Sequence, residues 1–271
     1  MLCFGLGDLV YKRGAAAGAQ AHHFLMVQSW VFAPSVLVYS FVTGSLRFVA
    51  GSLWGALAGL FVLVGFYNFA HSLRSGSISI NAPVFRLSFV LTAGLAIALL
   101  GEPLTGYKVA GIALALGAAW LLLGGPVQGE AHETRSSLIR VLLATVSVGI
   151  GNFIYTLGLR AGATPGSLIV TQAAVVVPLA TAFVGIVDRR IHPAGAVLRY
   201  APMAALVLAL AFALMVESMA RGEASVAVPI AQMGFVVTAL LGFLFLREPF
   251  TVRKGIGIMA ALAALGSLAH G

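Results

Sequence analysis

The stretch Ala82–Ile112, APVFRLSFVLTAGLAIALLGEPLTGYKVAGI, lies over Val228–Ile258, VPIAQMGFVVTALLGFLFLREPFTVRKGIGI, when the chain is shifted on itself by 146 residues. Pro83 meets Pro229, Phe89 meets Phe235, Thr92 meets Thr238, and Glu102-Pro103 meets Glu248-Pro249. Thr105, Lys108 and Gly111 then fall on Thr251, Lys254 and Gly257. Two ungapped windows of this length rarely agree so by chance. A shift of 144 aligns the earlier chain as well, pairing Gly7 with Gly151, Tyr11 with Tyr155, Gly14 with Gly158, Gly18 with Gly162, Gln28 with Gln172 and Pro34 with Pro178. A repeat that covers nearly the whole chain constrains the architecture before any single residue is interpreted.

Composition says where such a chain lives. Of 271 residues, 60% are hydrophobic and 9% charged, with a mean hydropathy of +1.03. Soluble domains run near a quarter charged, and no water-soluble fold covers this much apolar surface. Apolar stretches punctuated by Gly, Pro and charge read as helices near 1–17, 22–43, 48–72, 76–100, 105–124, 137–160, 165–187, 199–220, 223–246 and 250–269. At roughly 20 residues per span, the expected fold is all-α and integral to a membrane, with ten transmembrane helices in two five-helix repeats. The repeats occupy 1–124 and 137–271, and the polar linker 125–136 joins them. Five is odd, so the second copy enters the bilayer from the opposite side, and the halves are related by inversion about an axis in the membrane plane. Secondary transporters are built this way, with a solute site near the midplane.

The formal net charge of +8 would suggest nucleic acid in a soluble protein. Here no basic run with interleaved aromatics exists, and the cations read as loop residues facing anionic headgroups. The expected partners are therefore a lipid bilayer and a small-molecule solute, with no nucleic acid; a homo-oligomer is left open. Cys3, the single cysteine, permits no internal disulfide. His22-His23, His132, His192 and His270 lack ligand spacing, so neither a metal nor another cofactor is expected. No nucleophile elbow, phosphate loop or metalloprotease signature is present, and no catalytic residue is assigned. The alternatives to a transporter are an intramembrane enzyme and a structural or lipid-scrambling membrane protein.

Each half carries a small-residue turn, a Pro in the next helix, a long apolar run, Glu-Pro-hydrophobic-Thr, and a Gly-rich last helix: SGSISINAP…LLGEPLTGYKVAGI and RGEASVAVP…FLREPFTVRKGIGI. In these residues the chain resembles the drug/metabolite transporter superfamily, in its ten-helix EamA-type branch. The resemblance implies export or exchange of amino acids, metabolites or xenobiotics through a cavity between the halves, in the inner or plasma membrane of a cell. One departure stands out. The partner of the sixth helix's start at Ser137 would lie near position −7, which makes the first helix about two turns short and points to a start upstream of Met1.

Ionisable groups inside spans cost several kcal/mol and are functional candidates by default. Arg86 lies deep in the fourth helix, three residues after Pro83, with Gln232 at the equivalent place in the ninth. It reads either as an anion anchor or as a side chain that snorkels or pairs with a carbonyl freed by the proline. Asp8 aligns with Asn152, in the first and sixth helices that the resembled family uses to line its cavity. Asp8 can exchange a proton, or simply pair with Lys12 one turn on. Asn68 and Tyr155 complete the candidate solute contacts. Gln28 and Gln172 suit hydrogen bonds between helices. Glu102 and Glu248 read as structural ends of helices, with Thr105 and Thr251 as N-caps, and Gly51, Gly55 and Gly59 as a packing groove.

Loops after odd-numbered helices hold 11 Lys and Arg, those after even-numbered helices hold 4, and Arg86 completes the 16. The positive-inside rule then places both termini outside, whereas the resemblance implies cytoplasmic termini. The charge count is the orientation adopted here.

Overall fold

The structure is a computed structural model that describes residues 1–75, 81, 84–123, 135–189, 191–246 and 251–270. Within these residues the chain is helical, and no strand occurs. The helices are α1 (Leu2–Ala16), α2 (Ala21–Val42), α3 (Leu53–Ser75, led by a 3-10 turn at Ala50–Ser52), α4 (Ser88–Leu100), α5 (Gly106–Leu123), α6 (Arg135–Arg160), α7 (Pro165–Asp188), α8 (Gly195–Arg221), α9 (Ala224–Gln232), α10 (Gly234–Leu246) and α11 (Val252–Ala269). Among the described residues, seven segments are long and apolar enough to cross a membrane, and three shorter apolar helices, Leu2–Tyr11, Val84–Leu100 and Gly106–Leu122, accompany them. The protein is thus a multi-pass membrane protein. Most of the linker read at 125–136 lies outside the described residues.

Hydrophobic residues sit on both sides of the helices, as a lipid environment demands. On α8, Ala201, Ala204, Ala205, Leu208 and Phe212 are buried, while Leu198, Met203, Leu206, Leu210 and Leu214 face outward. The outward row is free to stay apolar because its solvent is hydrocarbon. Packing therefore depends on small residues and backbone approach, with no hydrophobic drive between helices.

The halves interlock. α1 packs on α8 and α10, α2 on α7 and α8, α3 on α6 and α7, α4 on α6 and α9, and α5 on α11. Nearly every extensive contact joins the first half to the second, so neither half holds a core of its own. Local features recur at the shifts read in the sequence. Gly18 and Gly162 both turn with φ of 82° after their helices. Thr251 caps α11 by accepting from Lys254 N at 3.3 Å, and Thr105 accepts from Lys108 N at 3.2 Å.

The glycine groove works as the spacing suggested. A Cβ on Gly51 would stand 2.7 Å from the Ala161 carbonyl oxygen, and one on Gly59 3.0 Å from that of Gln172. On Gly55 it would collide with the Leu168 backbone. Only glycine lets α3 and α7 lie backbone to backbone there.

Gly55→Ala forces the two helices apart, at a cost of about 1–3 kcal/mol. Thermal unfolding of the purified protein in detergent should show a drop of several degrees for this variant. Gly94→Ala, where a Cβ meets nothing within 4 Å, should leave the midpoint unchanged.

Candidate functional site

Two helices are interrupted at equivalent positions, and the interruptions build the site. The shift of 146 takes Leu87 to Met233, and each is the residue where helical bonding breaks. Pro229 has no N–H for the Ser225 carbonyl and crowds it with its ring. Four residues later Met233 N–H is shared between Pro229 O at 3.1 Å and Ile230 O at 3.3 Å, and Val236 N–H turns to Met233 O at 3.0 Å. Gln232 O thereby loses its helical donor. At the matching place Leu87 N–H donates to Val84 O at 3.0 Å and Val90 N–H to Leu87 O at 3.0 Å. Pro83, the counterpart of Pro229, lies outside the described residues.

Arg86 fills the gap. Its Nη1 donates to Gln232 Oε1 at 3.1 Å and approaches the freed Gln232 carbonyl at 3.5 Å, and its Nη2 forms an ion pair with Asp8 Oδ2. The guanidinium carbon lies 5.9 Å from the centre of the Phe235 ring, within cation–π range. Asp8 reaches this point because α1 and α10 touch through glycines: a Cβ on Gly234 would lie 2.8 Å from Gly5 N. Asp8 stands one turn beyond Gly5. Of the pair, Arg86 is the buried partner at 10% side-chain exposure and Asp8 the accessible one at 36%. Asp8, for which the sequence offered a local pairing with Lys12, thus makes a link between α1 and the start of α4; the Lys12 side chain lies outside the described residues. The guanidinium thus meets the Gln232 carbonyl oxygen, a contact of the carbonyl-pairing kind, and the carboxylate of Asp8.

The other candidates separate. Asn152 on α6 is buried, and its Nδ2 has no hydrogen-bond partner. Thr156, one turn on, likewise has an unpaired buried hydroxyl, as do Ser88 and Ser225. Asn68 donates to Val64 O at 2.9 Å and accepts from Arg140 Nη1 at 3.3 Å, a surface pairing apart from Arg86. Tyr155 is wholly buried and donates to Gln172 Oε1, as Tyr11 donates to Gln28 Oε1. Both bonds join a helix to the next one in sequence, the role expected of the glutamines.

Three features were missed in the sequence. Lys108, counted there as a loop cation, is fully buried. It pairs with Glu223 and donates to Pro103 O at 2.8 Å. Glu102 is structural, as read, but its partner lies in the other half: it accepts from Ala224 N at 3.0 Å and Ser225 N at 2.9 Å, capping α9. Glu248 lies outside the described residues. The recurrence of Glu and Lys in both copies was the available signal. Around them a cleft of about 340 Å³ opens among the ends of α4, α6 and α8, lined by Glu102, Thr156, Arg160 and Glu223. The third feature corrects the reading of the histidines as scattered, since His22 and His23 both meet Asp188.

Comparison with known proteins gives the following. The EamA-like transporter family matches the chain over residues 1–124 and again over 135–268. An uncharacterized protein of Methanocaldococcus jannaschii is 30% identical over 69 residues, which is 26% of this chain and 50% of that protein. The matched segment spans about half the length of that relative. A protein of known crystal structure shares the fold with a TM-score of 0.78 at 15% identity, covering 99% of this chain and 98% of the other.

Replacing Asp8 by Asn leaves Arg86 without its countercharge in an apolar interior. Breaking a fully buried pair costs about 3–5 kcal/mol, and the accessibility of Asp8 reduces this to about 1–3 kcal/mol. Asp8→Asn should therefore unfold at lower temperature than the unmodified protein. The double variant Asp8→Asn with Arg86→Gln should recover part of the loss, as a thermodynamic cycle measured in detergent would show.

Proposed function

Because the chain belongs to the EamA-like transporter family, we propose that it is a secondary transporter, an exporter or exchanger of small carboxylate-bearing or zwitterionic metabolites of amino-acid type. In this reading ten spans form two inverted repeats, with residues 1–124 and 137–271 as the two copies. They open alternately to the two sides of a cell's inner or plasma membrane. The interlocked packing supports it, since two halves that share one interface can exchange conformations only together.

The observation that carries the solute class is Arg86, held between Asp8 and Gln232 at paired helix breaks. A guanidinium presents a planar, permanently charged fork that matches a carboxylate. In this structure Asp8 supplies that carboxylate. A solute carboxylate that takes its place keeps the cation paired at every stage, which an apolar interior requires. Asp8 is the partner suited to leave, being the more accessible. The cleft at Glu102 and Arg160 reaches Thr156, and Thr156 and Asn152, one turn apart on α6, offer unpaired polar atoms to a solute. Asn68 and Tyr155, for which the sequence suggested solute contact, belong to the scaffold in this account.

The test is counterflow into proteoliposomes loaded with pools of amino acids and small carboxylates. Saturable uptake of at least one carboxylate solute is expected. Arg86→Lys, which keeps charge and loses the fork, should slow it about tenfold, and Arg86→Gln should abolish it, while Gly94→Ala transports normally. Carboxylate uptake by Arg86→Gln at the unmodified rate, with the protein folded, would overturn the assignment.

A further inference from the structure

The first turn of α2 meets the last residue of α7 at one end of the molecule, bringing together two imidazoles and a carboxylate from opposite halves. His22 Nε2 lies 2.8 Å and His23 Nε2 2.7 Å from the same oxygen, Asp188 Oδ2. The ligand atoms of all three lie within 4.8 Å of one another. We infer that His22, His23 and Asp188 form a binding site for a divalent cation of the zinc class, clasped between the two halves of the chain.

Four observations lead there. The donor set is the one that borderline divalent metals select, two imidazole nitrogens and one carboxylate, with a fourth position open to water on the exposed side of Asp188. A tetrahedral zinc about 2.0–2.1 Å from each ligand would hold the ligand atoms roughly 3.3 Å apart. The two nitrogen–oxygen separations, 2.8 and 2.7 Å, need to widen by only about half an ångström.

The second observation is His23 itself. It is 7% exposed, and Nε2 has no hydrogen-bond partner although it stands 2.7 Å from Asp188 Oδ2. The distance is that of a close contact and the angle is not that of a hydrogen bond, so the contact is steric and electrostatic. A buried nitrogen beside a carboxylate oxygen without a bond to it is poorly satisfied by protein alone, and a metal ion that both groups can turn to ligate satisfies both.

Third, the fold does not require these residues. The shift of 144 carries His22 and His23 to Gly166 and Ser167. There the opposite end of the α2–α7 pair is closed by hydroxyls: Ser52 Oγ donates to Ser167 Oγ at 2.9 Å and Thr164 Oγ1 to the same atom at 3.0 Å. One copy closes its corner with neutral groups, and the other uses three metal-binding ones.

Fourth, the helix ends oppose a plain ion pair. An imidazolium in the first turn of α2 faces the positive end of that helix, and a carboxylate closing α7 faces the negative end. A cation bound to Asp188 sits at the negative end of α7, which favours it, and it leaves the two imidazoles neutral. A bound ion would tie α2 to α7 and hold that end of the protein closed.

Equilibrium dialysis of the purified, full-length protein against Zn²⁺ tests this directly. One zinc per chain is expected, with Mg²⁺ and Ca²⁺ in large excess failing to compete. Asp188→Asn and His23→Gln should each weaken binding about 100-fold, and His270→Gln, outside the cluster, should not. Co²⁺ added to the unmodified protein should show the visible absorption of a tetrahedral N/O site, which keeps the test independent of variant folding. Zinc should raise the melting temperature of the unmodified protein and not that of Asp188→Asn. Absence of saturable zinc binding, or binding unchanged in Asp188→Asn with His23→Gln, would overturn the site and leave His22 hydrogen-bonded to Asp188 with His23 packed beside them. Neither result bears on flux through Arg86, so this inference and the transport reading fail separately.

Discussion

A permanently charged guanidinium in the interior of a membrane protein has to be paired, and most of what is specific to this molecule follows from pairing Arg86. Water is not available to do it, and the cost of leaving the charge bare exceeds that of almost any local distortion. Three elements supply the partners. α1 contributes Asp8, α9 contributes both the side chain and the carbonyl of Gln232, and α10 offers the face of the Phe235 ring. The break at Met233 has a clear purpose in this light. A regular helix would have spent the Gln232 carbonyl on Val236, whereas the interrupted one presents it to Arg86.

The partners come from both halves, and so does nearly everything else. Glu102 of the first half caps α9 of the second, Lys108 pairs with Glu223, and Gly55 admits the backbone of Leu168. Because these contacts run between the halves, a movement that shifts one helix end alters its counterpart. The polar groups lie at the ends and breaks of helices, the places where rearrangement costs fewest backbone hydrogen bonds. Packing along the glycine groove has no side chains to interdigitate, and it resists sliding less than a knobs-into-holes seam would.

Much of this was legible before any coordinates. The helix boundaries read from hydropathy fall within about four residues of those observed wherever they can be compared, because lipid imposes length and apolarity on every span. Arg86 was visible as a charge in the wrong place, and Gln232 as its repeat partner. Three things were not legible. For Asp8 the sequence offered a proton-exchanging role or a local pairing with Lys12, since sequence proximity is the only proximity a sequence shows; its link to Arg86, 78 residues off, was not visible. Lys108 was taken for a loop cation because it follows a Glu-Pro turn, and tertiary packing then buried it. Asn68 is polar and near the end of a span, and so resembled a cavity residue, yet it serves Arg140 at the surface. In each case the residue type was informative and the partner was decided by how helices cross.

The central claim is that Arg86 trades one carboxylate for another, with Asp8 holding the place of the solute. The most direct measurement compares the flux of a transported carboxylate with that of its neutral carboxamide, in the unmodified protein and in Arg86→Gln. The account expects the unmodified protein to prefer the carboxylate by about tenfold or more, the worth of one charge-assisted pair, and Arg86→Gln to lose that preference. Equal preference in the two proteins, with both folded in the membrane, would contradict it.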